Sequence, residues 1–286
     1  MLEAKSAKHR YLTGYMNQSE KSHNRIAKAR SEGITSEERD FAAERFIRFL
    51  NISKMALPGG APLREVLRSR DSIKNFVLSL DYPDYARLLV GINAMVRNKT
   101  GRDAWEMDGE GVQMGDQNIF PEQADKEVLL AKSLAAAKAM AQEGRSTEDV
   151  SIQLAVSLTA IHPFIDGNGR TAKFIFTMLN AGYDPKLLKD VLTSDGFSNA
   201  VNALLFQGAA TQVLDPAHEL VFEKFDAWLN VAENRNRIAE LIIDMIQNDR
   251  NLEYLGEDGL APIDRFKEGM REGTDPKLYE KIFAHK

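Results

Sequence analysis

The chain has 286 residues, no cysteine, 43% hydrophobic residues and a net charge of -5 from 37 Lys plus Arg against 42 Asp plus Glu. That length and apolar content suffice for one large or two small domains with a buried core. The missing cysteine excludes a disulfide framework, a thiolate nucleophile and a Cys-based zinc site, and a mildly acidic chain is not built to coat nucleic acid.

In chain order, the stretch 5–30 is basic, with Lys5, Lys8, Arg10, Lys21, Arg25, Lys28 and Arg30 against the single acid Glu20, and reads as a solvated arm. Thr35-Ser36-Glu37-Glu38 has the form of a helix capping box. It leads into Phe41, Ala42, Phe46, Ile47, Leu50 and Ile52 at near-helical spacing, stopped by Pro58-Gly59-Gly60. A helix is expected over 84–97. Residues 105–120 hold the turn pair Asp108-Gly109 and weak apolar alternation, which predicts a small hairpin. Pro121 opens a long helix through Leu129, Leu130, Leu134, Ala137 and Met140 that ends near Gly144.

Residues 151–161 and 171–180 predict two more helices. The second is apolar on most sides, as a helix in the middle of a core is, and Gly182 suits its end. Helices over 216–229 and 232–246 follow, then a charged tail interrupted by Gly256, Gly259, Gly269 and Gly273. The apolar windows 88–96 and 174–179 are far shorter than the ~20 residues that cross a bilayer, so no membrane span is expected. The start MLEAKSAKHR lacks the apolar core of a secretory signal. The expected location is the cytoplasm, or that of a secreted effector without a cleaved signal peptide.

The chemistry concentrates between the two central helices, in His162-Pro163-Phe164-Ile165-Asp166-Gly167-Asn168-Gly169-Arg170. A turn with two glycines before a helix presents backbone N–H donors and the positive end of the helix dipole, which suits phosphate. Gly167 and Gly169 permit positive φ and close approach of a ligand. Arg170, in the first helical turn, can fork onto phosphate oxygens. Asp166 would repel phosphate unless it holds a Mg²⁺ ion that bridges to it. His162 can take a proton from an attacking hydroxyl. Base, metal ligand, anion cradle and charge clamp are the parts that phosphoryl or nucleotidyl transfer requires. None of the five histidines, His9, His23, His162, His218 and His285, belongs to a His-Glu-x-x-His zinc motif.

These nine residues resemble the signature of the Fic family, HPFx(D/E)GNGRxxR, at eight fixed positions without a gap. The resemblance covers roughly residues 85–205. It implies an all-α, Fic-type helical core with a small β-hairpin flap at 105–120, flanked by additional N- and C-terminal helices. The implied division is an N-terminal helical arm at 1–60, a Fic domain at 61–205 and a C-terminal helical extension at 206–286.

The implied activity is transfer of AMP from ATP to a Ser, Thr or Tyr hydroxyl of a target protein. By the same resemblance, His162 is the general base and Asp166 holds Mg²⁺ against the phosphates. Gly167, Asn168 and Gly169 cradle the phosphates, with Asn168 adding a side-chain hydrogen bond. Arg170 clamps the β-phosphate and stabilises the charge of departing pyrophosphate. The last arginine of the family pattern is Lys173 here, a point charge in place of a fork, on the same helix face as Arg170 by its spacing of three.

Related donors stay open: UTP, or CDP-choline for phosphocholine transfer. So does a non-catalytic nucleotide-binding interaction protein. The Gly-Asn-Gly loop argues against the family's kinase-type members, which resemble Ala-Asn-Lys there. The family's inhibitory motif, (S/T)xxxE(G/N), has no match. Glu32, Glu110, Glu143, Glu233, Glu268 and Glu272 precede Gly or Asn, but none has Ser or Thr four positions earlier. The expectation is a chain without the usual self-inhibition, with an inhibitory partner chain left open.

Overall fold

The structure is a computed structural model, and it describes residues 69–97, 120–182, 184–213, 228–256 and 259–283. Among these residues it is helical, with no strand. The arm at 1–60, the hairpin expected at 105–119 and the segment 216–227 lie outside the described residues.

The helices are α1 (Arg70–Ser79), α2 (Tyr82–Val96), α3 (Gln123–Gln142), α4 (Thr147–Ile161) and α5 (Asn168–Ala181). They continue with α6 (Pro185–Thr193), α7 (Gly196–Val213), α8 (Ala232–Gln247), α9 (Pro262–Glu272) and α10 (Pro276–Phe283). The expected helices at 84–97, 121–144 and 232–246 are all present, within two residues or so at each end. The helix expected from 151 starts four residues earlier, because the Ser146 side chain accepts from the Asp149 N–H at 3.1 Å and caps it.

α4 and α5 form the centre, packed on each other. Every residue of α4 from Val150 to Leu158 is buried, and α5 is buried from Thr171 to Asn180. This is the burial expected of helices apolar nearly all round. α3 and α8 cover α4, while α1, α2, α6 and α10 cover α5. Asn180 on α5 donates to the Ser151 hydroxyl of α4 at 2.6 Å, which fixes the register of the pair.

The stretch after 247 is not a charged tail. Ile263, Phe266 and Met270 fall at helical spacing along α9 and are buried against α7. Gly269, read from the sequence as an interruption, lies inside α9. A Cβ there would stand 3.0 Å from the Ala200 Cα, so the glycine marks a close helix crossing. Phe176 of α5 meets Phe197 of α7, Phe266 of α9 and Phe283 of α10 at centroid distances of 5.4, 5.6 and 5.9 Å. These separations suit aromatic packing and bind the last helices to the central one. Position 205 falls inside α7.

Candidate active site

The loop from His162 to Gly167 joins α4 to α5 at one end of the core. His162 ends α4 in a left-handed conformation, φ 53° and ψ 58°, and its N–H donates to the Leu158 carbonyl at 3.0 Å. It is the one non-glycine residue with positive φ among the described residues. Pro163 bars the helical region for the residue before it, so the helix stops there. A non-glycine residue held in this region marks strain that the surroundings must over-determine.

Those surroundings are explicit. Phe164 is 1% exposed. The Asn168 amide spans both backbone groups of Phe164, accepting from its N–H at 2.9 Å and donating to its carbonyl. Asn168 is 2% exposed, so the side chain expected to meet phosphate is spent on shaping the loop.

Gly167 caps α5 with φ 82°, and a Cβ there would lie 2.9 Å from the Asn93 amide and from the Arg97 side chain. Conformation and space both require glycine. Gly169 needs no positive φ, since it sits in the helix. Among the described residues nothing outside its own helix lies within 4 Å of where its Cβ would stand. The first internal bond of α5 runs from the Thr171 N–H to the Gly167 carbonyl at 2.8 Å. The N–H groups of Asn168, Gly169 and Arg170 precede it and crown the helix at its positive end.

Asp166 is well exposed, at 60% of its side chain. One carboxylate oxygen accepts from the Gly167 N–H at 2.7 Å, the other from Arg170 Nη2 at 2.8 Å, with Arg97 Nε at 3.7 Å. Partial burial pushes this carboxyl up, but the Arg170 charge and hydrogen bond, the Gly167 N–H and Arg97 outweigh it. The net pKa is below the usual carboxylate range. Arg170 also donates to the Val96 carbonyl at 3.1 Å.

The His162 imidazole stacks on Phe120, with centroids 3.9 Å apart and planes at 20°. Its Nδ1 lies 3.4 Å from the Thr159 carbonyl. A proton on Nδ1 leaves Nε2 as the acceptor. Burial pushes its pKa down to about 4. The Thr159 contact and the Asp166 charge raise it, and the charge of buried Lys126 lowers it. The ring is therefore neutral, and able to accept a proton, at physiological pH.

Lys173 is 3% exposed and donates its ammonium to the Ser194 carbonyl at the end of α6. Arg170 reaches instead toward the end of α2. The two cations, expected on one face, diverge. Of the six glutamates considered as inhibitory, Glu143, Glu233, Glu268 and Glu272 are exposed, and the Arg170 ion pair among the described residues goes to Asp166. Glu32 and Glu110 lie outside the described residues.

Sequence reasoning missed five contributors. Asn93 donates to the Asp166 carbonyl at 2.8 Å and braces the loop from α2. Arg97 flanks Asp166, Phe120 covers His162, and Lys126 sets its electrostatics. Arg235 of α8, 4% exposed, donates to the Phe120 carbonyl at 2.9 Å, to the Leu229 carbonyl at 2.6 Å and to Glu122, and so seats the Phe120 ring. No local pattern marks them, because tertiary packing alone brings them to the loop.

No curated protein and no solved structure matches the chain. The family model described as Fic/DOC family matches residues 86–179, which run from within α2 to the last turn of α5 and contain the whole loop. The chain therefore carries a Fic/DOC-family domain over residues 86–179.

Proposed function

We propose that this protein transfers AMP from ATP to a Ser, Thr or Tyr hydroxyl of a target protein. The observation that carries the reading is the joining of a neutral, partly buried imidazole, an ionised exposed carboxylate and a helix N-terminus with Arg170 in one nine-residue loop.

His162 Nε2 takes the proton of the target hydroxyl. The hydroxyl oxygen bonds to the α-phosphorus, and the bond from that phosphorus to the bridging oxygen breaks. The electron pair departs on pyrophosphate, toward the N–H groups at the start of α5 and the Arg170 guanidinium. Arg170 must exchange its bond with Asp166 for one with phosphate, which frees Asp166 at the same moment. Gly167 and Gly169 keep side chains off the cradle. Lys173, tied to Ser194, adds positive potential from below.

Asp166 fits a Mg²⁺ ligand, being exposed and held ionised. Among the described residues no group of three His, Cys, Asp or Glu can hold a metal. An ion at Asp166 would thus take its remaining ligands from phosphate and water, as Mg²⁺ commonly does. Its contribution when bound is neutralisation of phosphate charge.

One observation favours a second donor. With Lys173 engaged by Ser194, nothing the family signature offers is left for a γ-phosphate. UTP and CDP-choline are the alternatives, the latter having none. The proposed place of action is a cytoplasm, either the protein's own or that of a cell that receives it, where ATP and protein targets are both at hand. No helix among the described residues is long and apolar enough to cross a membrane.

The test incubates the protein with Mg²⁺, a cell lysate and ATP labelled at the α- or the γ-phosphate, beside His162→Ala. The expected result is protein label from the α-position alone, lost in the variant. Label from the γ-position alone means a kinase. No label from either, with label from UTP or CDP-choline, means another donor. Nucleotide binding without any label means an interaction protein.

A further inference from the structure

We infer that Arg97 is a phosphate-binding residue of this site, supplying the second guanidinium that the family signature draws from the position of Lys173. The inference rests on the nucleotide-transfer reading above and concerns how the donor's phosphate chain is gripped.

The position that should present the second cation does not present it. Lys173 is buried, and its ammonium is bonded to the Ser194 carbonyl at the end of α6. Extracting it would leave that helix-terminal carbonyl without the partner it has now. Arg97 stands where a replacement is needed. It follows the last turn of α2, its N–H bonded to the Asn93 carbonyl at 3.0 Å. Its stem lies over Gly167, so close that a Cβ on that glycine would be 2.9 Å from its Cγ and 3.1 Å from its Cδ. The glycine thus serves the arginine as well as the turn.

The head group is underused. Its Nε is buried and has no hydrogen-bond acceptor among the described residues, and the Asp166 oxygen beside it, at 3.7 Å, is too far for one. Nη1 makes one long bond, 3.3 Å, to the Asn93 amide oxygen. A guanidinium carries five N–H donors, and buried ones are ordinarily satisfied. Here Nε waits beside a carboxylate that is shared with Arg170.

Charge gives the same answer. Asp166 supplies one negative charge against Arg97, Arg170 and the positive end of α5. The excess suits an anion of more than one charge, and a forked donor suits phosphate oxygens.

The experiment measures equilibrium binding of ATP, AMP and inorganic triphosphate to the full chain, with and without Mg²⁺, in the absence of target protein. The variants are Arg97→Gln, Arg97→Lys and Arg87→Gln. The last removes an equal charge from an exposed site on α2, where the arginine pairs with Asp84. Thermal melting confirms that each is folded. Arg97→Gln is expected to weaken ATP and triphosphate by about tenfold or more, as loss of a charge-assisted phosphate contact does. AMP is expected to change far less, Arg97→Lys to fall between, and Arg87→Gln to match the wild type.

Unchanged ATP affinity in Arg97→Gln overturns the inference and leaves the transfer reading intact. Equal losses for ATP and AMP also overturn it, and assign Arg97 to bracing the loop. Wild-type protein that binds triphosphate but not ATP, with triphosphate binding lost in Arg97→Gln, keeps the inference and overturns ATP as donor. Binding of neither by the wild type overturns both.

Discussion

An imidazole held neutral at physiological pH has a free nitrogen to accept a proton, at the cost of being a weaker base, and His162 shows how one residue acquires that property. Burial against Phe120 and the charge of Lys126 disfavour the imidazolium and push its pKa down to about 4, against about 6.5 when unfolded. Between those values the unfolded chain holds a proton that the folded chain refuses. The contribution to stability is therefore complete above about pH 6.5 and is lost as pH falls toward 4, by at most about 3 kcal/mol. Under the proposed transfer reaction, the same depression sets the pH at which His162 loses its role as base. The acid limb of kcat/KM against pH is expected near 4 to 5, well below the ordinary histidine value of about 6.5. Lys126→Met should move that limb upward, because it removes a repelling charge. A limb at about 6.5 in the wild type would show that the ring is solvated in the working enzyme. Asp166, held below the carboxylate range, stays ionised through the same window. Much of this pair was legible in the sequence, since both residues sit in the nine-residue loop. What tunes them was not: Phe120 and Lys126 come from across the fold, and neither has a local pattern that points at His162.

The elements that carry the site were legible to different degrees, for reasons that show in single residues. α4 and α5 stood out because their apolar residues run round the whole helix, as only central helices allow. The first turn of α4 did not, since Thr147, Glu148 and Asp149 look like a solvated loop until Ser146 is seen to cap them. α9 was hidden by its glycines, which the chain uses for close approach. Gly196 and Gly273 are the clearest case. A Cβ on Gly196 would stand 2.0 Å from the Thr274 hydroxyl and 2.9 Å from the Gly273 and Met270 backbones. Ser194 adjoins this contact, its hydroxyl 3.4 Å from the Gly273 carbonyl and 3.2 Å from the Thr274 hydroxyl, while its carbonyl takes Lys173. Gly196→Ala forces α7 and α9 apart, and overpacking of this kind costs about 1–3 kcal/mol. Denaturant unfolding should show that loss as a lower midpoint with an unchanged slope. An unaltered midpoint would mean that the crossing is loose.

At the scale of the molecule, the family match and the folding unit differ in extent. The match ends at residue 179, inside α5. The Phe176 ring two turns into that helix is covered by Phe197, Phe266 and Phe283 from beyond the match. Arg235 reaches back to Phe120, and Lys267 of α9 lies 3.4 Å from Asp149 and 3.7 Å from Glu148 at the start of α4. The segment 257–286 alone contributes Ile263, Phe266, Met270 and Ile282, each 1% exposed or less. Burial of such side chains is worth about 1.5–3 kcal/mol each, so roughly 6–12 kcal/mol for the four as an upper bound. That equals the whole net stability of a typical domain, about 5–15 kcal/mol. A chain ending at residue 256 is therefore expected to lose cooperative thermal unfolding and to bind hydrophobic dyes, with Phe176 and Phe197 bared. It should lose nucleotide binding as well, because Ser194 and the end of α6 lose their support beside Lys173. A truncated chain that still melts cooperatively and binds nucleotide would show that the last helices only lean on a core that stands without them.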